Sequence, residues 1–136
     1  MKKLYMFLLL LGAFLPPKLA VADNSIIISH QAPKHEVRAV WLTTLGGRDW
    51  PRTYSQSPFS AKKQQAELCQ ILDRLQEAKI NTVLLQTRIR GTMIYPSSLE
   101  PWDGCLSGHP GRTPGYDALQ FAIDECHKRG MELHAW

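Results

Sequence analysis

The residues best suited to chemistry in this 136-residue chain stand where apolar runs stop. Val83, Leu84 and Leu85 give way to Gln86, Thr87 and Arg88, and the run from Met131 gives way to His134 and Trp136. Gln86 and Arg88 share parity along an extended chain, as do His134 and Trp136, so each pair is expected to project the same way. Loops add aromatic rings at Trp50, Tyr54, Tyr95 and Trp102. A glutamine, an arginine, a histidine and several aromatics suit sugars: planar donors and acceptors pair with hydroxyls, and ring faces pack on the C–H face of a pyranose. Gln86, Arg88, Tyr95, Trp102, His134 and Trp136 are therefore the candidate substrate contacts. Each has a plainer role open to it. Arg88 has the option of an ion pair that only fixes a loop, Gln86 of satisfying buried loop amides, and His134 of a hydrogen-bonded place in the core. The loop aromatics, Trp50 included, can serve to order their own loops, and Trp41, in mid-strand, reads as core packing.

Breaking a glycosidic bond takes two flanking carboxylates, one acting as general acid and the other as nucleophile or base. No apolar run here ends on one. Asp49, Glu100 and Asp103 lie in loops, and nothing in the sequence pairs them. Metal chemistry has little support. The spacing of Cys105 and His109 lacks a second ligand pair, and a metal-dependent deacetylase built on Asp103, His109 and His134 lacks ligand spacing. No metal or cofactor is expected. The three cysteines allow at most one internal bridge. Cys69 and Cys126 fall on apolar helix faces as small hydrophobes, which leaves Cys105, in a Gly-rich loop, as the thiol to suspect of reactivity.

The elements that must position these residues alternate. Val37 to Leu42 is short and rich in β-branched and aromatic residues, a strand that runs into a loop at Gly46 and Gly47. Ser60 is expected to cap a helix whose Leu68, Leu72, Leu75 and Lys79 share a face. The unbroken run Val83 to Leu85 suits a strand buried on both sides. A long loop, 89–115, leads to a helix that begins at Asp117, with Gln120 completing a capping-box pattern, and ends at Gly130 behind His127, Lys128 and Arg129. Met131 to Trp136 is a third strand. Strands alternating with helices imply right-handed crossovers and a parallel sheet, either an open doubly wound sheet or a (β/α)8 barrel. Gly46 and Gly47 are followed by Arg48, Asp49 and Trp50, so neither glycine-rich nucleotide-binding fingerprint is present.

Residues 1–22 read as a secretory signal peptide: Lys2 and Lys3, an apolar run from Leu4 to Leu15, and a small-residue cleavage site at Ala20 and Ala22. That run is too short for a bilayer, which takes roughly 20 residues. Residues 23–35 form a polar leader segment, and 36–136 the domain. The formal charge is +4, and removing Lys2, Lys3 and Lys18 with the signal lowers it to +1. A near-neutral mature chain gives no electrostatic case for nucleic acid or anionic membranes, and 44% apolar with 21% charged residues is ordinary globular composition. Periplasm, cell surface or medium is the expected location, with no transmembrane segment in the mature chain.

The segment from Glu36 to Thr44, Asp49-Trp50-Pro51, the run from Ile71 to Leu75, Ile80 to Val83, Gln86-Thr87-Arg88, Tyr95-Pro96-Ser97 and the stretch from His127 to Trp136 occur together in one order. In this ordered set the chain resembles the start of the catalytic domain of the glycosyl hydrolase-like 10 family. The resemblance implies a secreted or envelope-attached bacterial protein with a TIM-barrel domain acting on glycosidic bonds, in cell-wall glycan or other polysaccharide. It implies substrate-facing roles for Gln86, Arg88, Tyr95, His134 and Trp136, and catalytic carboxylates on later strands. A barrel takes about 250 residues and eight strands, so three strands are expected to be a partial barrel, a truncated product inactive alone. The competing reading is a non-catalytic carbohydrate-binding module or pseudoenzyme.

Overall fold

A computed structural model describes residues 36–136; the expected signal peptide (1–22) and leader (23–35) lie outside the described residues. Three parallel strands, β1 (Ala39–Leu42), β2 (Thr82–Leu85) and β5 (Glu132–Ala135), form one sheet in the order β1, β2, β5. Helix α1 (Pro58–Glu77) connects the first two, and α3 (Ala118–Lys128) leads into the last. The stretch expected as one long loop instead holds a two-stranded hairpin, β3 (Arg88–Ile89) with β4 (Thr92–Met93), and a single turn of helix, α2 (Gly104–Ser107). This is an incomplete parallel sheet with flanking helices, a partial (β/α) barrel that is not closed.

The register aligns Val40, Val83 and Leu133 across the sheet, with Leu42, Leu85 and Ala135 two residues on. These positions share one face, because strand side chains alternate. Val83, Leu42 and Leu85 are buried there with Leu68 and Leu72 of α1 and Ala118, Ala122 and Cys126 of α3 in one core cluster. Burying a leucine contributes about 1.5–3 kcal/mol, so two on α1 outweigh any surface ion pair it makes. The helices also meet each other: Arg129, at the end of α3, reaches Asp73 of α1 at 2.7 Å while holding Glu125 at 2.6 Å.

The opposite face carries Trp41, Leu84 and His134 in register. Trp41, expected in the core, is 61% exposed. Among the described residues the helices lie on one side of the sheet, and on the other Trp41 packs edge-on with Trp136, ring centroids 4.9 Å apart. Trp50, by contrast, is fully buried, and its indole N–H donates to the Gln64 carbonyl at 2.9 Å.

Helix ends show where local signals were misread. Ser57, not Ser60, is the N-cap of α1: its hydroxyl accepts from Ser60 N while the Ser60 hydroxyl accepts from Ser57 N. Pro58, which lacks an N–H and suits the first helical position, fixes that boundary. The helix also stops at Glu77, so Lys79 is not on its apolar face and instead takes a left-handed φ of 61°. Asp117 caps α3 as expected, accepting from Gln120 N at 2.9 Å, but the Gln120 side chain turns to Asp124, so only half the box forms.

Candidate functional site

In parallel α/β folds ligands bind beyond the carboxyl ends of the strands, where loops converge on a rigid base. Here three loops converge: the one after β1, the β3–β4 hairpin after β2, and the segment 101–105. The first is drawn onto the second strand by Gln86, whose Oε1 accepts from Thr43 Oγ1 at 2.6 Å, Thr44 N at 3.0 Å and Leu45 N at 3.1 Å. Asp49 Oδ2 accepts from Thr43 N at 2.8 Å and closes the same loop from its other side. Farther along, Glu67 of α1 accepts from the backbone of Arg52 and Thr53, and the Gln64 amide donates to Thr53 O and Leu106 O while accepting from the Tyr116 hydroxyl.

The hairpin turns through Arg90 and Gly91, both at positive φ, 55° and 74°. Two such residues are what a tight two-residue hairpin turn requires. Arg88, at its base, makes a two-point pair with Glu100, one contact being 2.7 Å from Nε. That pairing holds the Glu100 carboxyl below its ordinary range. Asp103 caps α2 by accepting from Cys105 N at 2.7 Å and also accepts from the Thr92 hydroxyl. Burial opposes ionisation of Asp103, but the hydrogen bonds from Thr92 and Cys105, with Arg90 nearby, outweigh it and keep the carboxyl low. Both acids are therefore anions at neutral pH, so neither is poised to donate a proton to a leaving group. Burial, with the Asp103 carboxylate beside it, pushes the Cys105 thiol up, which removes the basis for a reactive thiolate there.

Between these loops lies a cleft of about 500 Å³, lined by Gly46, Gly47, Arg52, Tyr54, Arg90 and Asp103 among others. None of the six residues singled out from sequence lines it. Gln86 is 4% exposed and its carbonyl oxygen is committed to the loop. Arg88 is exposed but tied to Glu100. The shared parity expected of the two does not carry, because β2 ends at Leu85 and the chain turns into the hairpin. Tyr95 is half-buried, and Trp102 is half-buried against the core, bridging to Met93. His134 is exposed on the open sheet face with Glu132 3.3 Å away, and Trp136 donates its indole N–H to Leu84 O at 3.0 Å. Among the described residues the structure thus brings Trp136 to Trp41, while the cleft of about 500 Å³ is lined by other residues. Among the described residues no group of three or more His, Cys, Asp or Glu is placed to hold a metal ion, and no helix is long and apolar enough to cross a membrane.

The cleft residues Arg52, Tyr54 and Arg90 stand away from the ends of the parallel strands, so strand-end position does not single them out. One signal was present: an aromatic in a Pro- and Ser-rich loop, and an Arg-Gly pair able to form a tight turn.

The family model described as Glycosyl hydrolase-like 10 matches residues 36–136. The chain is 44% identical over 110 residues to "Glycosyl hydrolase DigH" of Escherichia coli strain K12, covering 78% of this chain and 25% of that protein. It is 42% identical over 101 residues to "Glycosyl hydrolase YngK" of Bacillus subtilis strain 168, covering 74% of this chain and 19% of that protein. The chain therefore spans about a quarter or less of the length of these curated relatives.

Proposed function

The chain belongs to the glycosyl hydrolase-like 10 family, and from that premise we propose that it forms the opening strands of an exported glycoside hydrolase barrel. The relatives carry the name glycosyl hydrolase, which supports a glycosidic substrate; on this reading it is bacterial cell-wall glycan or another polysaccharide. Export rests on the charge and apolar pattern of residues 1–22. The observation that carries the reading is the convergence of three tied-down loops around an open cleft at the carboxyl ends of sequential parallel strands. That is where a barrel enzyme receives its substrate.

The same geometry supports a division of labour along the sequence. The described loops contact sugar, and the bond-breaking acid and base come from other strands of the barrel. Asp49 is engaged by Thr43 N, Glu100 by Arg88, and Asp103 by Thr92 and Cys105 N. Glu100 and Asp103 are held as anions, whereas a glycosidase acid must keep its proton near neutral pH. Calorimetric titration of the 136-residue chain with solubilised cell-wall glycan tests the reading, with chitin, cellulose and starch oligosaccharides as a panel. Saturable binding to at least one glycan is expected. Absence of binding to all of them contradicts it.

A further inference from the structure

We propose that the cleft between the loop after β1 and the β3–β4 hairpin is a sugar-ring subsite, with Tyr54 as its stacking platform and Arg90 as the donor to oxygen substituents of the ring. The proposal rests on the glycan reading above and assigns it to residues that strand-end position does not single out.

Tyr54 is 56% exposed, which is unusual for an aromatic whose neighbours are so firmly held. Thr53 is fixed by Glu67, and Ser55 donates from its backbone N to Leu106 O at 2.7 Å and from its hydroxyl to Pro114 O at 2.6 Å. The ring itself lies against the backbone of Gly108: a Cβ there would sit 3.1 Å from Tyr54 Cγ and Cδ2. An aromatic held in place and left open to a cleft loses little freedom when a pyranose packs on it.

Arg90 supplies the polar wall. It occupies the first turn position of the hairpin at a φ of 55°, where Asn, Asp or Gly is the easy choice. Backbone strain of this kind needs a reason. Its guanidinium makes no ion pair or hydrogen bond among the described residues, whereas Arg88 two positions away is consumed by Glu100. Gly46 and Gly47 leave room in the same cleft, since a Cβ on either would meet nothing within 4 Å. A volume of about 500 Å³ is within the span of small-molecule sites, roughly 300–1,000 Å³.

The test is calorimetric binding of solubilised cell-wall glycan, with a chitin oligosaccharide as second probe, to the full 136-residue chain and three variants. Tyr54→Phe keeps the ring and is expected to bind within about two-fold of wild type. Tyr54→Ala is expected to bind roughly ten-fold more weakly. Arg90→Asn removes the guanidinium but suits the turn, so it should hold or raise the melting temperature while weakening binding by about ten-fold or more. If either Tyr54→Ala or Arg90→Asn binds within two-fold of wild type, the subsite is wrong although the glycan reading stands. If wild type binds neither probe, both fall together.

Discussion

Replacing Gln86 with leucine separates its structural role from a direct sugar contact. Leucine has nearly the volume of glutamine but no acceptor, so packing is kept while the clamp on the loop after β1 is lost. Thr43 Oγ1 is half-buried and can turn to water, and Leu45 N retains Thr43 Oγ1 at 3.1 Å. Thr44 N has neither escape, because Thr44 is 1% exposed and its amide donates only to Gln86. One orphaned buried donor costs about 1–3 kcal/mol and each lost bond about 1 kcal/mol more, so Gln86→Leu should lose roughly 2–4 kcal/mol. In urea unfolding followed by far-UV circular dichroism, with a slope of about 1–2 kcal/mol/M, the midpoint drops by roughly 1–4 M. Gln86→Glu keeps an acceptor, and backbone N–H donors favour its charged form, so it should lose less. A Gln86→Leu chain as stable as wild type, within about 0.5 kcal/mol, would refute the clamp. If glycan affinity collapsed at the same time, Gln86 would be a direct contact.

Three further outcomes follow from the same geometry. Glu125, paired with Lys128 and Arg129, has its carboxyl lowered from 4.5 to about 2 by those hydrogen bonds. Its contribution to stability is therefore complete above pH 4.5 and is lost as pH falls towards 2; Glu125→Gln should flatten the urea midpoint over that window, and an unchanged slope would contradict the assignment. Burial raises all three thiols, Cys126 to about 11, so a thiol-specific disulfide reagent at neutral pH should label the native chain far more slowly than the urea-unfolded chain, and fast labelling of Cys105 would oppose its burial. Trp41→Ser, on the sheet face that the described helices leave open, should cost the edge contact with Trp136, about 0.5–1.5 kcal/mol, together with burial of the covered part of the ring, about 1–2 kcal/mol, and should reduce binding of a hydrophobic dye; a loss well above about 4 kcal/mol would mean that face is packed.

The fold was legible where signals are local. The unbroken run at Val83 to Leu85 marked the central strand, the expectation of Cys126 on an apolar helix face agrees with its burial in α3, and Asp117 and Gly130 marked the ends of that helix. Boundaries slipped where two local signals competed, as at Ser57 and Ser60, both of which take part in one cap. The site was less legible because it is made by contacts distant in sequence. Gln86 meets Thr43 across 43 positions, Gln64 meets Tyr116 across 52, and Ser55 meets Pro114 across 59. No spacing rule carries such pairings. Trp41 was misplaced for a related reason: mid-strand position identifies a face but not whether anything covers it, and here the helices cover the other one.

Release of reducing ends from solubilised cell-wall glycan by the purified 136-residue chain tests the division between sugar-contacting loops and bond-breaking acids most directly. With Glu100 and Asp103 held as anions and Asp49 tied to Thr43 N, the chain should bind glycan and release none. Sustained turnover that disappears in Asp103→Asn or Asp49→Asn would place the catalytic machinery within these residues and contradict the account.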